Sequence, residues 1–357
     1  MRNKLLAILI SAFLVFFNAI QSSAQEKKIL FIDSYHKGYE WSQDTNKGFC
    51  DAMLKFGYFD NEAQIKEFID NDLVKTSRCI VKKLWMDTKR KSSKGEMEMI
   101  GLETYKSAKE FNPALIFLGD DNAAQFVGTK FLDTQTPVVF WGLNNTPLKY
   151  GLVDSMDKPG HNATGVYQSG YYVDSIALLM RIKPSIKRIA VLSDATTSGR
   201  SHYKAVEHLL RSGKISLELV ETVATNSFEE WKNKALELQQ RVDAFFIAQY
   251  SGLKDKNGDL VPNHEVMRWY LQHITIPETA GLGPFVKQGI LCAADDSGYN
   301  QGYEAVVLAN DILANGADPA STPPRTPRRG KLMVNERRAK MLGISISEDM
   351  GIEEIIN

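Results

Sequence analysis

An α/β fold in two successive lobes, each a mainly parallel sheet covered by helices, is what three features of the sequence predict. Short continuous aliphatic runs alternate with helical patterns along most of the chain. The alternation starts afresh near residue 188, and a Gly/Pro/Asn-rich stretch over about 144–170 separates the two series. The 357 residues suit two domains at about 100–200 residues each. Charged residues at 24% and aromatics at 10% are ordinary globular values and exclude wholesale disorder. The 43 Lys and Arg against 43 Asp and Glu leave no basic surplus with which to hold nucleic acid.

The chain opens with Arg2 and Lys4, then an apolar run over 5–20 broken only by Ser11 and Asn18, then the small residues Ser22-Ser23-Ala24. This is the pattern of a secretory signal peptide over 1–24, cleaved after Ala24, and it predicts export to a periplasm. An uncleaved anchor is the alternative, which the small-residue exit disfavours. No Cys follows the apolar run, so a lipid anchor is not expected. In the first series, strands are expected at 28–33, 63–69, 114–119 and 137–141, with helices at 42–56, 93–111 and 123–131. In the second, strands are expected at 188–193, 217–224 and 244–248, with short runs at 274–276 and 289–292 and helices at 199–212, 227–241 and 264–273. Apolar strands bounded by polar loops and separated by helices make βαβ units, that is, two Rossmann-like lobes with parallel sheets. The expected division is 25–145 plus about 285–318 for the first lobe and 146–284 plus about 325–357 for the second. Four prolines between Pro319 and Pro327 make 319–331 an extended connector.

Ligands of open parallel sheets bind beyond the carboxyl ends of the strands. Here those ends are polar throughout: Asp33-Ser34-Tyr35-His36 and then Trp41; Asp120-Asp121-Asn122; Trp141-Gly142-Leu143-Asn144; Asp194-Ala195-Thr196; Gln249-Tyr250-Ser251; and Asp295-Asp296-Ser297. Loops are polar in any case, but six such tips together predict a ligand cleft between the lobes. The candidate ligand-binding residues are Ser34, Tyr35, Trp41, Asp120, Asp121, Trp141, Asn144, Asp194, Thr196, Tyr250 and Asp295. Asp120 or Asp121, Ser198 and Ser297 also fit as helix N-caps, and Trp141, closing a strand, fits equally as core. Cys50, Cys79 and Cys292 are too few for a disulfide scaffold. A Cys50–Cys79 bridge stays open, with buried free thiols the favoured state.

The segment Ile29-Leu30-Phe31-Ile32-Asp33-Ser34-Tyr35-His36-Lys37-Gly38-Tyr39-Glu40-Trp41 resembles the opening of a branch of the ABC transporter substrate-binding protein family. Gly142-Leu143-Asn144-Asn145 and Ala163-Thr164-Gly165-Val166 are similar to that family's strand-end segments. Gly302-Tyr303-Glu304-Ala305, the Pro-rich connector, Leu332-Met333-Val334-Asn335 and Lys340-Met341-Leu342-Gly343-Ile344 are similar to its closing elements. The resemblance implies a type I periplasmic-binding fold whose lobes close by hinge motion, in a branch resembling tryptophan and tyrosine uptake proteins. It implies a small-molecule ligand and a membrane permease partner, and positional roles for Ser34, Tyr35, Asn144 and Asp295. Related modules serve as sensory inputs of histidine kinases, which is the second function to test.

Signals for catalysis do not hold. His264-Glu265 begins like a zinc-protease helix, but the second ligand position is Arg268. The segment Asp255-Lys256-Asn257-Gly258-Asp259 resembles a calcium loop whose twelfth position is Val266 rather than Glu, so it is expected to be a turn. Gly281-Leu282-Gly283-Pro284 likewise reads as a turn, and Lys89-Arg90-Lys91 as solvated charges. The expectation is an exported solute-binding protein of an ABC importer, not an enzyme. No catalytic residues, metal or cofactor are expected, nor a nucleic-acid partner, and the protein is read as a monomer.

Overall fold

The structure is a computed structural model and describes residues 27–168 and 170–357. The segment read as a signal peptide lies outside the described residues. Strand β1 (Lys27–Asp33) is followed by helices α1 (Glu40–Lys55) and α2 (Glu62–Asn71), then β2 (Leu73–Lys75), β3 (Cys79–Trp85), α3 (Lys94–Phe111), β4 (Leu115–Gly119), α4 (Asp120–Phe126), β5 (Val138–Leu143) and β6 (Ala163–Tyr167). The sheet order is β2-β3-β1-β4-β5-β6. All pairs are parallel except β2 with β3, and Phe31 sits between Lys83 and Phe117 across the ladder. Ile29–Ile32 and Leu115–Leu118 are at most 1% exposed, because helices cover both faces of a parallel sheet.

The second lobe continues with α5 (Tyr172–Ile182), β7 (Arg188–Ser193), α6 (Thr197–Arg211), β8 (Glu218–Ala224), α7 (Phe228–Leu238), β9 (Ala244–Gln249), α8 (Asn263–His273), β10 (Glu278–Ala280), α9 (Gly283–Gln288) and β11 (Cys292–Ala294). Helix α10 (Gly298–Asn315) then returns to the first lobe and packs on α1, β5 and β6. The last elements, β12 (Leu332–Asn335), α11 (Glu336–Met341) and β13 (Glu354–Ile356), rejoin the second sheet, whose order is β13-β12-β11-β10-β9-β7-β8. Helices α1 and α10 cross at backbone distance: a Cβ at Gly48 would fall 1.9 Å from the Tyr299 carbonyl oxygen, and one at Gly302 would fall 2.1 Å from that of Thr45. Only glycine permits this approach.

Several elements differ from the expectations. Residues 63–69 form part of helix α2, not a strand: Ile65, Phe68 and Ile69 recur with helical spacing and the Asn61 side chain caps the first turn, accepting from Gln64 N at 3.2 Å. Strand β3 was not expected, since Lys82 and Lys83 interrupt its apolar run. The short run 274–276 is replaced by β10, and Gly283-Pro284 opens α9 instead of completing a turn. The lobe crossings also fall later than 145 and 285. Strand β6 pairs with β5, so the first lobe extends to Tyr167, and β11 pairs with β10, so the return comes only at α10. In the connector, Arg325 N donates to Gly165 O and Tyr167 N to Arg325 O, which stitches that segment to the edge of the first sheet. Asp255 accepts from the backbone of Asn257 and Asp259, the turn expected there. Cys50 and Cys292 are free thiols, and all three cysteines are buried. No helix among the described residues is long and apolar enough to cross a membrane.

Candidate functional site in the cleft between the lobes

The carboxyl ends of β1, β3, β4 and β5 face those of β7, β9 and β10, and the lobes touch. Tyr35, Tyr39 and Trp41 of the first lobe share one apolar cluster with Tyr250, Leu282 and Phe285 of the second. Lys89 Nζ donates to Ser198 Oγ at 2.9 Å, Asn145 Nδ2 to Ser201 Oγ at 2.5 Å and Lys254 Nζ to Ser92 Oγ at 3.1 Å, while Gln288 reaches Glu40. Two cavities remain along this seam, of about 120 Å³ and about 310 Å³, and Lys89 lines both.

Several of the expected residues brace the strand tips within their own lobe. Ser34 Oγ donates to Gly119 O at 2.6 Å and accepts from Ala123 N at 2.8 Å, tying β1 to β4 and holding the start of α4. Asp121 accepts from Asn144 N at 3.1 Å, Asn144 Nδ2 at 2.7 Å and the Tyr150 hydroxyl at 2.7 Å, so Asp121 and Asn144 brace one another. Asp194 accepts from Thr196 N, Thr196 Oγ1 and Gly252 N, and Thr196 Oγ1 accepts from Gly199 N at 3.1 Å. Thr196, not Ser198, therefore caps α6, and the cap aims that helix start into the cleft. Ser297 caps α10 as expected, accepting from Asn300 N. Neither Asp120 nor Asp121 is a cap, because Gly119 holds that position without a side-chain bond.

Tyr35 lines the smaller cavity, and behind it Trp41 and Asp120 pair with one another. Asp120 has φ +69, a left-handed conformation that costs a non-glycine residue about 1–3 kcal/mol. Its Oδ1 accepts from Trp41 Nε1 at 2.8 Å, and its Oδ2 is buried without a partner. Burial first, then the Asp33 and Asp121 charges, hold its carboxyl well above the usual range. Gly142 must be glycine here: its φ is +68, and a Cβ would lie 2.7 Å from Asp120 Oδ1. Tyr35 lies edge-on to Tyr39 at 4.7 Å, and burial raises its phenol pKa. Tyr250 packs on Phe285 at 4.4 Å and donates its hydroxyl to Gln288.

Two expected residues stand elsewhere. Trp141 is fully buried in the first-lobe core, 4.5 Å from the Phe31 ring. Asp295 turns to the far side of the hinge, where its Oδ1 accepts from Gly283 N at 2.6 Å and it lines a groove with Arg329 and Lys331. Its neighbour Asp296 faces inward instead and accepts from Gly170 N at 2.8 Å, across two of the inter-lobe crossings.

Lys89, Gln168, Tyr172 and His202 lie outside the expected set, while Asn122 and Asp296 stand among its polar tips without being named as candidates. Lys89, read as solvated, is 2% exposed; its ammonium lies 4.8 Å and 5.0 Å from the Tyr35 and Tyr39 ring centres. Among the described residues the other buried cations, Lys83 and Arg338, each face a carboxylate, at 3.5 Å (Asp33) and 2.8 Å (Glu278), whereas no carboxylate oxygen lies within 4 Å of Lys89 Nζ. Burial works against the Lys89 charge, but Tyr39 and the more distant Asp194 raise its pKa. Asn122 donates to Thr88 at 2.8 Å and leaves its Oδ1 buried without a partner, as is Gln168 Oε1. The Tyr172 hydroxyl pairs with His202 Nδ1 at 2.7 Å, and burial with the Lys89 charge pushes the His202 pKa down to about 4, so the ring is neutral. A closed polar seam with a cation that no carboxylate touches, and with unpartnered acceptors, can hold a small molecule that carries both charges.

The family model for ABC transporter substrate binding proteins matches residues 80–354. Among solved structures, the chain is similar to an ABC domain from Streptococcus pneumonia in complex with L-Trp, with 20% identity and a TM-score of 0.71 over 93% of this chain and 100% of that one. It is also similar to a ligand-free, open substrate-binding protein with adhesive properties from Clostridium difficile (18% identity, TM-score 0.66, 93% and 99% covered). A conserved domain protein from Vibrio cholerae gives 16% identity and a TM-score of 0.69, with 93% and 100% covered. No curated protein matches the chain in sequence. With this match over most of its length and the two-lobed fold of the type I periplasmic binding proteins, the chain belongs to the ABC transporter substrate binding protein family.

Proposed function

We propose that this protein is the exported solute-capturing component of an ABC importer, and that its lobes close over a small amino-acid-like zwitterion. The observation that carries this reading is Lys89, a buried ammonium with no carboxylate beside it, directed across the cleft at Ser198 in the first turn of α6. A ligand carboxylate placed there gains Lys89, Ser198 and the free N–H groups of a capped helix start. Asn122 Oδ1, which lacks a donor, suits the ammonium end, and so does Asp120 Oδ2 once the ammonium's charge draws off its proton. Because the ligand touches both lobes, it favours the closed form, and a permease in the membrane reads that form. No step of this cycle breaks a covalent bond. The L-Trp complex of the streptococcal relative supports an amino acid as the class to try first.

The test is a thermal-shift screen of the protein lacking residues 1–24 against amino acids, carboxylates, nucleosides and sugars, followed by calorimetry. A true ligand at a hundredfold excess over Kd stabilises by about 2.7 kcal/mol. Lys89→Met should weaken binding of that ligand about 10- to 150-fold, the worth of a charged hydrogen bond. Tight binding of a sugar or nucleoside that Lys89→Met leaves unchanged would overturn the ligand class. Unchanged uptake of the ligand in cells that lack the protein would overturn the import role.

A further inference from the structure

The first lobe holds another cavity, of about 300 Å³, away from the cleft and framed by α1, α2 and β3. Its walls are Cys50, Ile65, Phe68 and the Trp85 ring, and Lys83 lies at its floor. The Lys83 side chain is 1% exposed. Its ammonium is 3.9 Å from the Phe31 ring centre and 3.7 Å from that of Trp85, with Asn46 Oδ1 at 3.3 Å. Its counter-ion is Asp33, and the Asp72 carboxylate on the cavity lining adds a more distant negative charge. Asp33 Oδ2 stands 3.5 Å away, while Asp33 Oδ1 already accepts from Tyr35 N and Ser42 Oγ, each at 2.9 Å. On the same wall, Trp85 Nε1 is buried with no acceptor.

An unanswered N–H beside a buried ammonium, under largely apolar walls, forms a site for an anion with an apolar body. We propose that this cavity is a second binding site, separate from the cleft, that takes a small apolar monocarboxylate with its carboxylate on Lys83 and Trp85 Nε1. Burial lowers the Lys83 pKa to about 8, a cost that a bound anion would reverse. Asp33 connects the cavity to the cleft, because the oxygen facing Lys83 belongs to the carboxylate that holds Tyr35 in place.

Saturation-transfer NMR with benzoate, and with benzamide as its neutral counterpart, tests the proposal on the protein lacking residues 1–24. Benzoate should give a signal in the wild type and in Lys89→Met, and benzamide should bind about tenfold more weakly or less. Ile69→Trp, at an exposed rim position, should fill the cavity and abolish the benzoate signal with little change in Tm. Where Lys83→Met folds, it should erase the preference for benzoate over benzamide. Loss of signal in Lys89→Met with retention in Ile69→Trp would place benzoate in the cleft and overturn the site. Equal binding of benzamide, or no signal at millimolar benzoate, would overturn it as well.

Discussion

Asp296 should make the protein less stable as the pH rises through neutrality, and Asp296→Asn should remove much of that loss. The carboxyl is 1% exposed. Burial, with a smaller push from Asp295, raises its pKa from the ordinary 3.8 to about 7, against the lowering effect of Gly170 N–H and Gln301. The folded state therefore binds its proton more tightly than the unfolded state does. Stability from this group is fully present below the unfolded value and is lost as pH climbs through the folded one. For a pKa of about 7 folded and about 3.8 unfolded, the loss between pH 5 and pH 8 comes to about 2–3 kcal/mol. Asp295, raised to about 6, adds a loss of the same sign at lower pH, so only the difference between wild type and variant isolates Asp296. Asn keeps an acceptor for Gly170 N–H, and the hinge contact survives the substitution. The assay is urea unfolding of both proteins, ligand-free, at pH 5 and pH 8. The wild type should lose about 2–3 kcal/mol more than the variant over that interval. Equal pH slopes would refute the reasoning, since they would mean that Asp296 is already charged at pH 5 and held so by its hydrogen bonds.

Three further outcomes follow from the same geometry. Gly142→Ala puts a Cβ at φ +68 and 2.7 Å from Asp120 Oδ1; it should cost about 1–2 kcal/mol in strain alone and weaken cleft binding by displacing Asp120, both readable in thermal melts with and without ligand. Arg338→Met strands Glu278 in the second-lobe core, where the pair is 2% and 0% exposed; it should cost about 3–5 kcal/mol in urea unfolding, with most of that recovered in Arg338→Met/Glu278→Leu. Burial pushes the Cys50 and Cys292 thiols up to about 12, so Ellman's reagent should react slowly with the native protein and rapidly with Cys50 and Cys292 after guanidinium; reaction of neither in guanidinium would show them oxidised.

The strands that build the sheets were legible where burial on both faces demands continuous apolar residues, as in Ile29–Ile32, Leu115–Leu118 and Phe245–Ile247. Strand β3 escaped because Lys82 and Lys83 break its run, and Lys83 is tolerated there only through Asp33 and two aromatic rings, partners that no local pattern reveals. Missing β3 meant missing its tip, and Lys89 was then read as one of three solvated charges. The error at Asp295 has a different origin. Adjacent residues leaving a strand point to opposite sides, so composition identifies the Asp295-Asp296 pair but not its inward member. The polar tips were correctly located, yet polarity by itself separates no binding group from a bracing one. Ser34, Asp121, Asp194 and Thr196 spend their hydrogen bonds within the protein, while Asp120 Oδ2 and Asn122 Oδ1 have none to spend and Lys89 has no carboxylate to face. Partners decide the difference, and they are distant in the chain: Ser198 is 109 residues from Lys89. A ligand must supply what a buried group lacks, so the residues that select it are those whose needs the fold leaves unmet, and these become visible only once both lobes are in place.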